Sequence, residues 1–334
     1  MGRLLLLGLL TVLVNGAIVA LVPPDPNSYF AAAIDKERLL AVTRAPRLLL
    51  VGGSNLAFGI DSEQIETITG LAVLNLGLHA NVGLRLMLRQ AELGVLPGDR
   101  VLLIPEYQHF VGAPLDGSPK ELAAIFEFDH MLPRLFTSPR QYWNLVRGLP
   151  QLEPGKLVWL QRSLGQGSDL VYRRDAFNTH GDVVSHLDRG SGDGGSRPLF
   201  LPGESTQLVG EAFELLAEAI VSIRERGGEP LVSYPSISTT AYQDSEPIIS
   251  RIRMRLEGVP TVQVVGSPED FLLPPDRFYD SPYHLTRDGR QERTQRLIER
   301  LRLVETGVDP LNRHLCCRHG EGLTDPEQIA SGDQ

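Results

Sequence analysis

Three side chains in this sequence have the types that acyl transfer asks for. Ser54 closes the run Gly52-Gly53-Ser54-Asn55, and Asp280 and His284 share the run Tyr279-Asp280-Ser281-Pro282-Tyr283-His284. A serine hydroxyl is a weak nucleophile at neutral pH and needs a base within hydrogen-bond reach, itself oriented by a carboxylate. His284 is the candidate base and Asp280 its orienting group, with Asp276 as the alternative carboxylate. Glycines before Ser54 suit a sharp strand-to-helix turn, where the serine's own amide and the helix dipole face developing negative charge. The competing reading makes Ser54 a helix cap or the glycines a phosphate cradle. Neither G-x-x-x-x-G-K-[ST] nor G-x-G-x-x-G is present, which disfavours the cradle. Asp280 and His284 could also be a chance pair in a loop leading to a cap at Thr286.

These residues need elements to hold them. Arg47 to Val51, Ala72 to Leu76, Val101 to Ile104, Leu231 to Tyr234 and Thr261 to Val265 are short apolar runs, read as five buried strands. Helical patterns separate several of them: Phe213, Leu216, Ile220 and Ile223 share one face of Glu211 to Arg226, and Gly227-Gly228 stop it. The last helix opens near Thr286 and carries Leu297, Ile298 and Leu301. Alternating strands and helices imply parallel pairing and an α/β three-layer α/β/α sandwich. Ligands of such sheets bind beyond the carboxyl ends of the strands, which is where Ser54, Gly77 to Asn81, and Glu106 to His109 fall.

Between about 111 and 202 the rhythm is lost. Short helical pieces, Pro119 to Phe128 and Pro139 to Arg147, precede the Gly-, Asp- and Ser-rich stretch Leu187 to Ser196. A loop this long inside one domain reads as a helical or irregular cap over the site, with Asp188 to Ser196 flexible. Tyr172, Arg173, Arg174 and Asn178 to His186 concentrate groups able to meet a sugar or carboxylate. The domain spans 45–304, and 305–334 reads as an unstructured tail.

Composition bounds the function. A net charge of -9, with no basic stripe, argues against nucleic acid. Leu4 to Val22 carries no charge, and only Thr11 and Asn15 as polar side chains. Such a run reads as an N-terminal transmembrane signal anchor over 1–24, with the remainder of the chain extracytoplasmic, periplasmic or at the cell surface; a signal peptide cleaved near Ala31-Ala32-Ala33 and a buried soluble helix are the alternatives. Cys316 and Cys317 are adjacent, so no disulfide framework is expected. His314, Cys316, Cys317 and His319 lack the two-element spacing of a structural zinc site.

Together, the serine turn and the Asp280–His284 run resemble the SGNH/GDSL hydrolase superfamily. That pattern places a serine just after the first strand and D-x-x-H shortly before the C-terminal helix. Leu74-Asn75-Leu76-Gly77 is similar to the family's second block, and Val51 to Asp61 looks like membrane-anchored SGNH-like proteins of bacterial surface-polysaccharide acylation. The resemblance covers roughly Arg47 to Phe110 and Leu231 to Arg302. It implies a flavodoxin-like sheet, a Ser54–His284–Asp280 triad, and an oxyanion hole from the amides of Ser54 and Gly77. It implies no metal or organic cofactor.

Two blocks depart from the family. The strict D-x-x-H position is Ser281, with Asp280 one residue further back. Where the family has G-x-N-D after the third strand, this chain has Pro105-Glu106-Tyr107-Gln108-His109, so Asn81, Gln108 or His79 would have to replace the missing asparagine donor. Glu106, Arg173 and Asn178 are candidate substrate contacts. The expected activity is ester hydrolysis or O-acyl transfer on an envelope or extracellular glycan through an acyl-Ser54 intermediate. The alternative is an impaired SGNH-like scaffold that binds glycan or a membrane-bound acyltransferase.

Overall fold

The computed structural model describes residues 2–112, 114–163, 171–201, 203 and 206–306. Seven strands occur among them: β1 (Arg47–Gly52), β2 (Ala72–Asn75), β3 (Arg100–Ile104), β4 (Glu229–Ser233), β5 (Ile237–Ser238), β6 (Val264–Val265) and β7 (Leu272–Leu273). The main sheet has the order β2-β1-β3-β4-β6, every pair parallel. β5 and β7 pair separately. The five strands expected from the apolar runs are the five of the main sheet. All six residues of β1 are buried, the continuous burial expected of a parallel strand covered on both faces.

The helices are α1 (Gly2–Leu21), α2 (Ala32–Val42), α3 (Ser54–Ala57), α4 (Ser62–Thr69), α5 (Leu84–Gly94), α6 (Pro119–Phe126), α7 (Pro139–Gly148), α8 (Glu153–Ser163), α9 (Gly210–Glu225), α10 (Thr239–Glu257) and α11 (Arg287–Glu305). From β1 the chain crosses to β2 through α4, then back past β1 to β3 through α5. Right-handed crossovers in opposite directions put those two helices on opposite faces. α5 packs with α9, and α4 with α11. The arrangement is α/β and compatible with a three-layer α/β/α sandwich. α11 begins at Thr286, whose hydroxyl caps the Gly289 amide at 3.3 Å. It runs through Leu303 to Glu305, so the helix extends to the start of the expected tail; residues 307–334, including His314, Cys316, Cys317 and His319, lie outside the described residues.

The N-terminal expectation needs correction. The uncharged run does fold as helix α1, but among the described residues no helix is long and apolar enough to cross a membrane. The transmembrane and signal-anchor reading therefore falls. The physical reason lies at the end of the run. Ile18, Val19 and Val22 are half-buried against the protein, α1 packs on α8 and on Leu149–Leu152, and Lys156 Nζ donates to the Val22 carbonyl. The run is partly spent on tertiary packing.

The insertion divides in two. α6, α7 and Leu149–Leu152 pack on one another, as an added helical layer. Residues from 171 onward are instead built into the domain: Val183 N donates to Ala57 O (2.8 Å), Asn75 N to His180 O (2.8 Å), and Asp182 is wholly buried. Asp182 accepts from Ser62 N and Oγ, Asn75 Nδ2, Asn178 Nδ2 and Arg290 Nη2. The stretch expected to be flexible is also pinned. Gly192 N donates to Phe278 O and Gly194 N to Tyr279 O, both at 3.1 Å. A Cβ on Gly194 would lie 2.5 Å from Ser281 O: glycine there permits close approach of two backbones, not mobility.

Candidate active site

Strand register decides what faces Ser54. Gly52 of β1 pairs with Ile104 of β3, so two residues further along both strands Ser54 and Glu106 stand opposite each other. The sheet order reverses between β1 and β3, the switch point where open α/β sheets open a crevice. Ser54 Oγ donates to Glu106 Oε1 at 3.3 Å, and Asn55 N to the same oxygen at 3.1 Å. Asn55 locks the turn, its Oδ1 accepting from Gly53 N (3.0 Å) and its Nδ2 donating to Ile104 O (3.2 Å). A Cβ on Gly53 would lie 2.5 Å from Glu106 Oε1, so glycine is what lets the carboxyl reach the turn. Burial pushes the Glu106 carboxyl up to about 7, although bonds from Asn55 and Ser54 favour its ionised form.

The other half of the site hangs from the loop before α11. His284 Nδ1 lies 2.7 Å from Asp280 Oδ1. In that pairing the imidazole donates from Nδ1 and keeps a lone pair on Nε2, as a general base requires. Tyr172 OH donates to the other oxygen, Asp280 Oδ2, at 2.5 Å, and lies 3.3 Å from His284 Nδ1. Burial raises the Asp280 carboxyl, but the bonds from His284 and Tyr172 outweigh it and hold the group below its ordinary value. Phe58, one helical turn after Ser54, stacks on the His284 ring with centroids 4.0 Å apart and planes 13° apart. The ring that follows the serine turn is thus the platform for the histidine. Asp276 is exposed and pairs with Arg277 at 2.8 Å, so Asp280 is the carboxylate beside His284.

The expected oxyanion donors fare unevenly. The Gly77 amide donates to Asn75 Oδ1 at 2.9 Å and is engaged. The Asn55 amide is held by Glu106, as is that of Ser54. Asn81 N donates to His79 Nδ1 at 3.1 Å, which leaves the proton of the neutral His79 ring on Nε2. Burial, then the charge of His284, pushes the His79 imidazole down to about 4, so at neutral pH it is an uncharged donor. Gln108 is tied at both ends, Nε2 donating to Leu199 O and Oε1 accepting from Tyr283 OH. His109 accepts from Glu106 N through Nδ1 and bonds Ala80 O through Nε2; it fixes the loop carrying Glu106.

Arg173 and Asn178 are engaged by other groups of the protein. Arg173 pairs with Asp175. Asn178 Oδ1 accepts from the His180 and Asp182 amides (3.0 and 2.8 Å), shaping the turn that delivers Asp182. Among the described residues no group of three or more His, Cys, Asp or Glu side chains could hold a metal ion. Sequence reasoning missed the role of Tyr172 at the dyad, for which no spacing signal exists, and Phe58, whose position four after Ser54 was such a signal.

No protein-family model matches this chain, and no curated protein matches it either.

Proposed function

We propose that the chain is an SGNH-type serine esterase or O-acyltransferase that acts on an ester of an envelope or extracellular glycan. The observation that carries this reading is the Asp280–His284 pair at 2.7 Å, stacked on the ring that follows the Ser54 turn. In the proposed reaction Ser54 Oγ attacks the acyl carbonyl and gives its proton to His284 Nε2. The leaving alcohol takes that proton as the C–O bond breaks. Water or an acceptor hydroxyl, deprotonated by the same imidazole, then releases the acyl group from Ser54. Asp280 holds the imidazolium, and Tyr172 shares the carboxylate's second oxygen. His79 Nε2–H, with the Ser54 and Asn55 amides once Glu106 releases them, supplies oxyanion donors in place of the engaged Gly77 amide.

One observation favours a second reading. Ser54 donates to Glu106, not to His284, and that carboxylate sits on the amides an oxyanion would use. In an impaired scaffold that binds glycan or an acyltransferase partner, this would be the resting and final arrangement.

Labelling with a serine-directed fluorophosphonate separates the two. The enzyme reading expects labelling of the wild type that Ser54→Ala and His284→Ala both remove, with far-UV circular dichroism unchanged. Labelling that appears only in Glu106→Gln would mean a self-blocked enzyme. Equal labelling of wild type and Ser54→Ala removes Ser54 as nucleophile, and none in wild type or Glu106→Gln leaves the scaffold.

A further inference from the structure

On α2 the residues Ala33, Lys36, Glu37 and Leu40 recur at the spacing of one helical face, and on α5 Leu86, Met87, Gln90 and Leu93 do the same. Both faces line a cavity of about 420 Å³, within the range of small-molecule pockets, roughly 300–1,000 Å³. Gly52 of β1 and Leu76 and Leu78, on either side of Gly77, form one part of the wall. Ile125 of α6, with Leu132 and Leu135 just beyond it, forms another. The two helices meet where a Cβ on Gly94 would lie 3.1 Å from Leu40. Elsewhere the gap between them is left unfilled, although protein interiors hold few voids larger than a water molecule.

The wall is aliphatic. Its apolar side chains are alanine, valine, leucine, isoleucine and methionine, and no aromatic ring lines it among the described residues. Leu93 and Leu96 belong to the wall and are each 43% exposed, so the cavity reaches solvent through an apolar mouth. The charged groups of the wall are answered within the protein. Glu37 pairs with Arg134, Asp129 accepts from the Met131 amide, and Lys36 Nζ donates to the Asn75 and Gly181 carbonyls at 2.7 Å each. Gln90 is half-buried, and its amide has no hydrogen bond among the described residues. Apolar cavities stay dry and take apolar ligands. A flat ring gains from rings to stack on, which this wall does not offer, so a flexible chain fits it better. With both cations engaged, nothing there calls for an anionic head, and Gln90 offers one neutral amide to a neutral one.

We propose that this cavity binds a linear aliphatic chain with an uncharged polar head, the chemistry of a fatty alcohol. The chain lies among the leucines of α2, α5 and the Leu132–Leu135 turn, and Gln90 meets the hydroxyl. Ser54 is not part of the wall, so the site does not rest on the reactivity of that serine. An occupant would nonetheless lie against Gly52, Leu76 and Leu78, the neighbours of the Ser54 turn and of Gly77.

The test is titration calorimetry of the full chain with the series from 1-pentanol to 1-octanol. One site per chain is expected, with affinity rising about fourfold for each added methylene. Octanoate should bind more weakly than 1-octanol because its charge would be buried unpaired, and so should 2-phenylethanol, which has as many carbons as 1-octanol. Leu93→Asn, at the exposed mouth, should weaken 1-octanol about tenfold, and Gln90→Met about fivefold. Ala33→Phe, which fills the cavity, should abolish binding. Ser54→Ala should bind as wild type does, and so should Leu9→Asn and Leu13→Asn on the exposed side of α1. Absence of saturable binding in wild type overturns the proposal, as does octanoate or 2-phenylethanol binding as well as 1-octanol. Loss of binding in Ser54→Ala, Leu9→Asn or Leu13→Asn places the chain elsewhere and overturns it too. Should Ala33→Phe fail to fold, the Leu93→Asn titration decides: wild-type affinity there removes the cavity as the site.

Discussion

β1 and β3 carry a buried polar pair at each end, and the two pairs are built on opposite principles. At the amino end Arg47 faces Asp99, both wholly buried. Asp99 accepts from Arg47 N and Nε and from Leu96 N, while the remaining guanidinium donors reach the carbonyls of Leu40, Thr43 and Gly94. Every charge has its opposite and every donor an acceptor. At the carboxyl end Ser54 faces Glu106, a carboxyl with no cation bonded to it among the described residues, held by a hydroxyl and two amides. The same register, carried along the same two strands, yields a saturated clasp at one end and an unbalanced carboxyl at the other. The difference teaches where the fold puts its stability and where it leaves groups able to change state.

The sharpest break of the comparison is at the clasp. Asp99→Ala leaves Arg47 charged and buried, and should cost about 3–5 kcal/mol in urea unfolding, while any folded fraction keeps its reactivity at Ser54. If loss of Asp99 costs under about 1 kcal/mol, the amino end is not the structural clasp described.

Next in size is the pH response of the other end. The folded-state value of Glu106, about 7, lies above its ordinary 4.5. Between those two values the folded chain binds more protons than the unfolded one, so stability falls as pH rises through that window and stays reduced above it. Glu106→Gln should therefore be more stable than wild type at pH 8, by on the order of 1–3 kcal/mol, with the advantage gone near pH 4. Parallel stability–pH curves for the two proteins would show that Glu106 is not held protonated by burial.

A smaller effect is expected at Tyr172. Tyr172→Phe removes one of the two side-chain donors to Asp280, and should slow fluorophosphonate labelling by roughly tenfold. It should also raise the Asp280 carboxyl, moving the acid limb of the labelling–pH profile upward. An unchanged profile would make Tyr172 part of the packing alone. Smallest is Asn178→Ala, which trims the turn that delivers Asp182: about 1 kcal/mol in stability, with labelling of the folded protein unaltered.

The strands were legible because buried parallel strands must be apolar throughout, and the runs from Arg47, Ala72 and Val101 have no other use. Ser54, Asp280 and His284 were legible by residue type, and the structure brings Asp280 against His284. That Ser54 would face Glu106 could not be read, because it depends on the β1–β3 register. Nor could the Gly77 amide's engagement, which depends on the rotamer of Asn75. Tyr172 reaches Asp280 across 108 residues of chain, and no local pattern announces such a contact. The partners of Arg173 and Asn178 could not be read either, because polar residues in a long insertion look alike whether they meet a substrate or shape a turn. The N-terminal run misled in another way: Ile18, Val19 and Val22 are half-buried against the protein, while Leu6, Leu9, Leu10 and Leu13 stay exposed, a division that composition does not announce.

The wiring of Asp182 bears on how the chain is made. Its partners come from residues 62, 75, 178 and 290, and only the last carries a positive charge. A nascent chain has synthesised the sheet edge and the whole insertion long before Arg290 leaves the ribosome. Until then the Asp182 carboxylate has hydroxyl and amide partners but no guanidinium, and burying it is costly. Residues 178–183 should stay open to solvent through most of synthesis and close in one late step. That step comes with the same segment that delivers Asp280 and His284. Sealing of the sheet edge thereby falls close in time to the arrival of that segment, and a chain arrested before residue 280 would hold the Ser54 turn without Asp280 or His284.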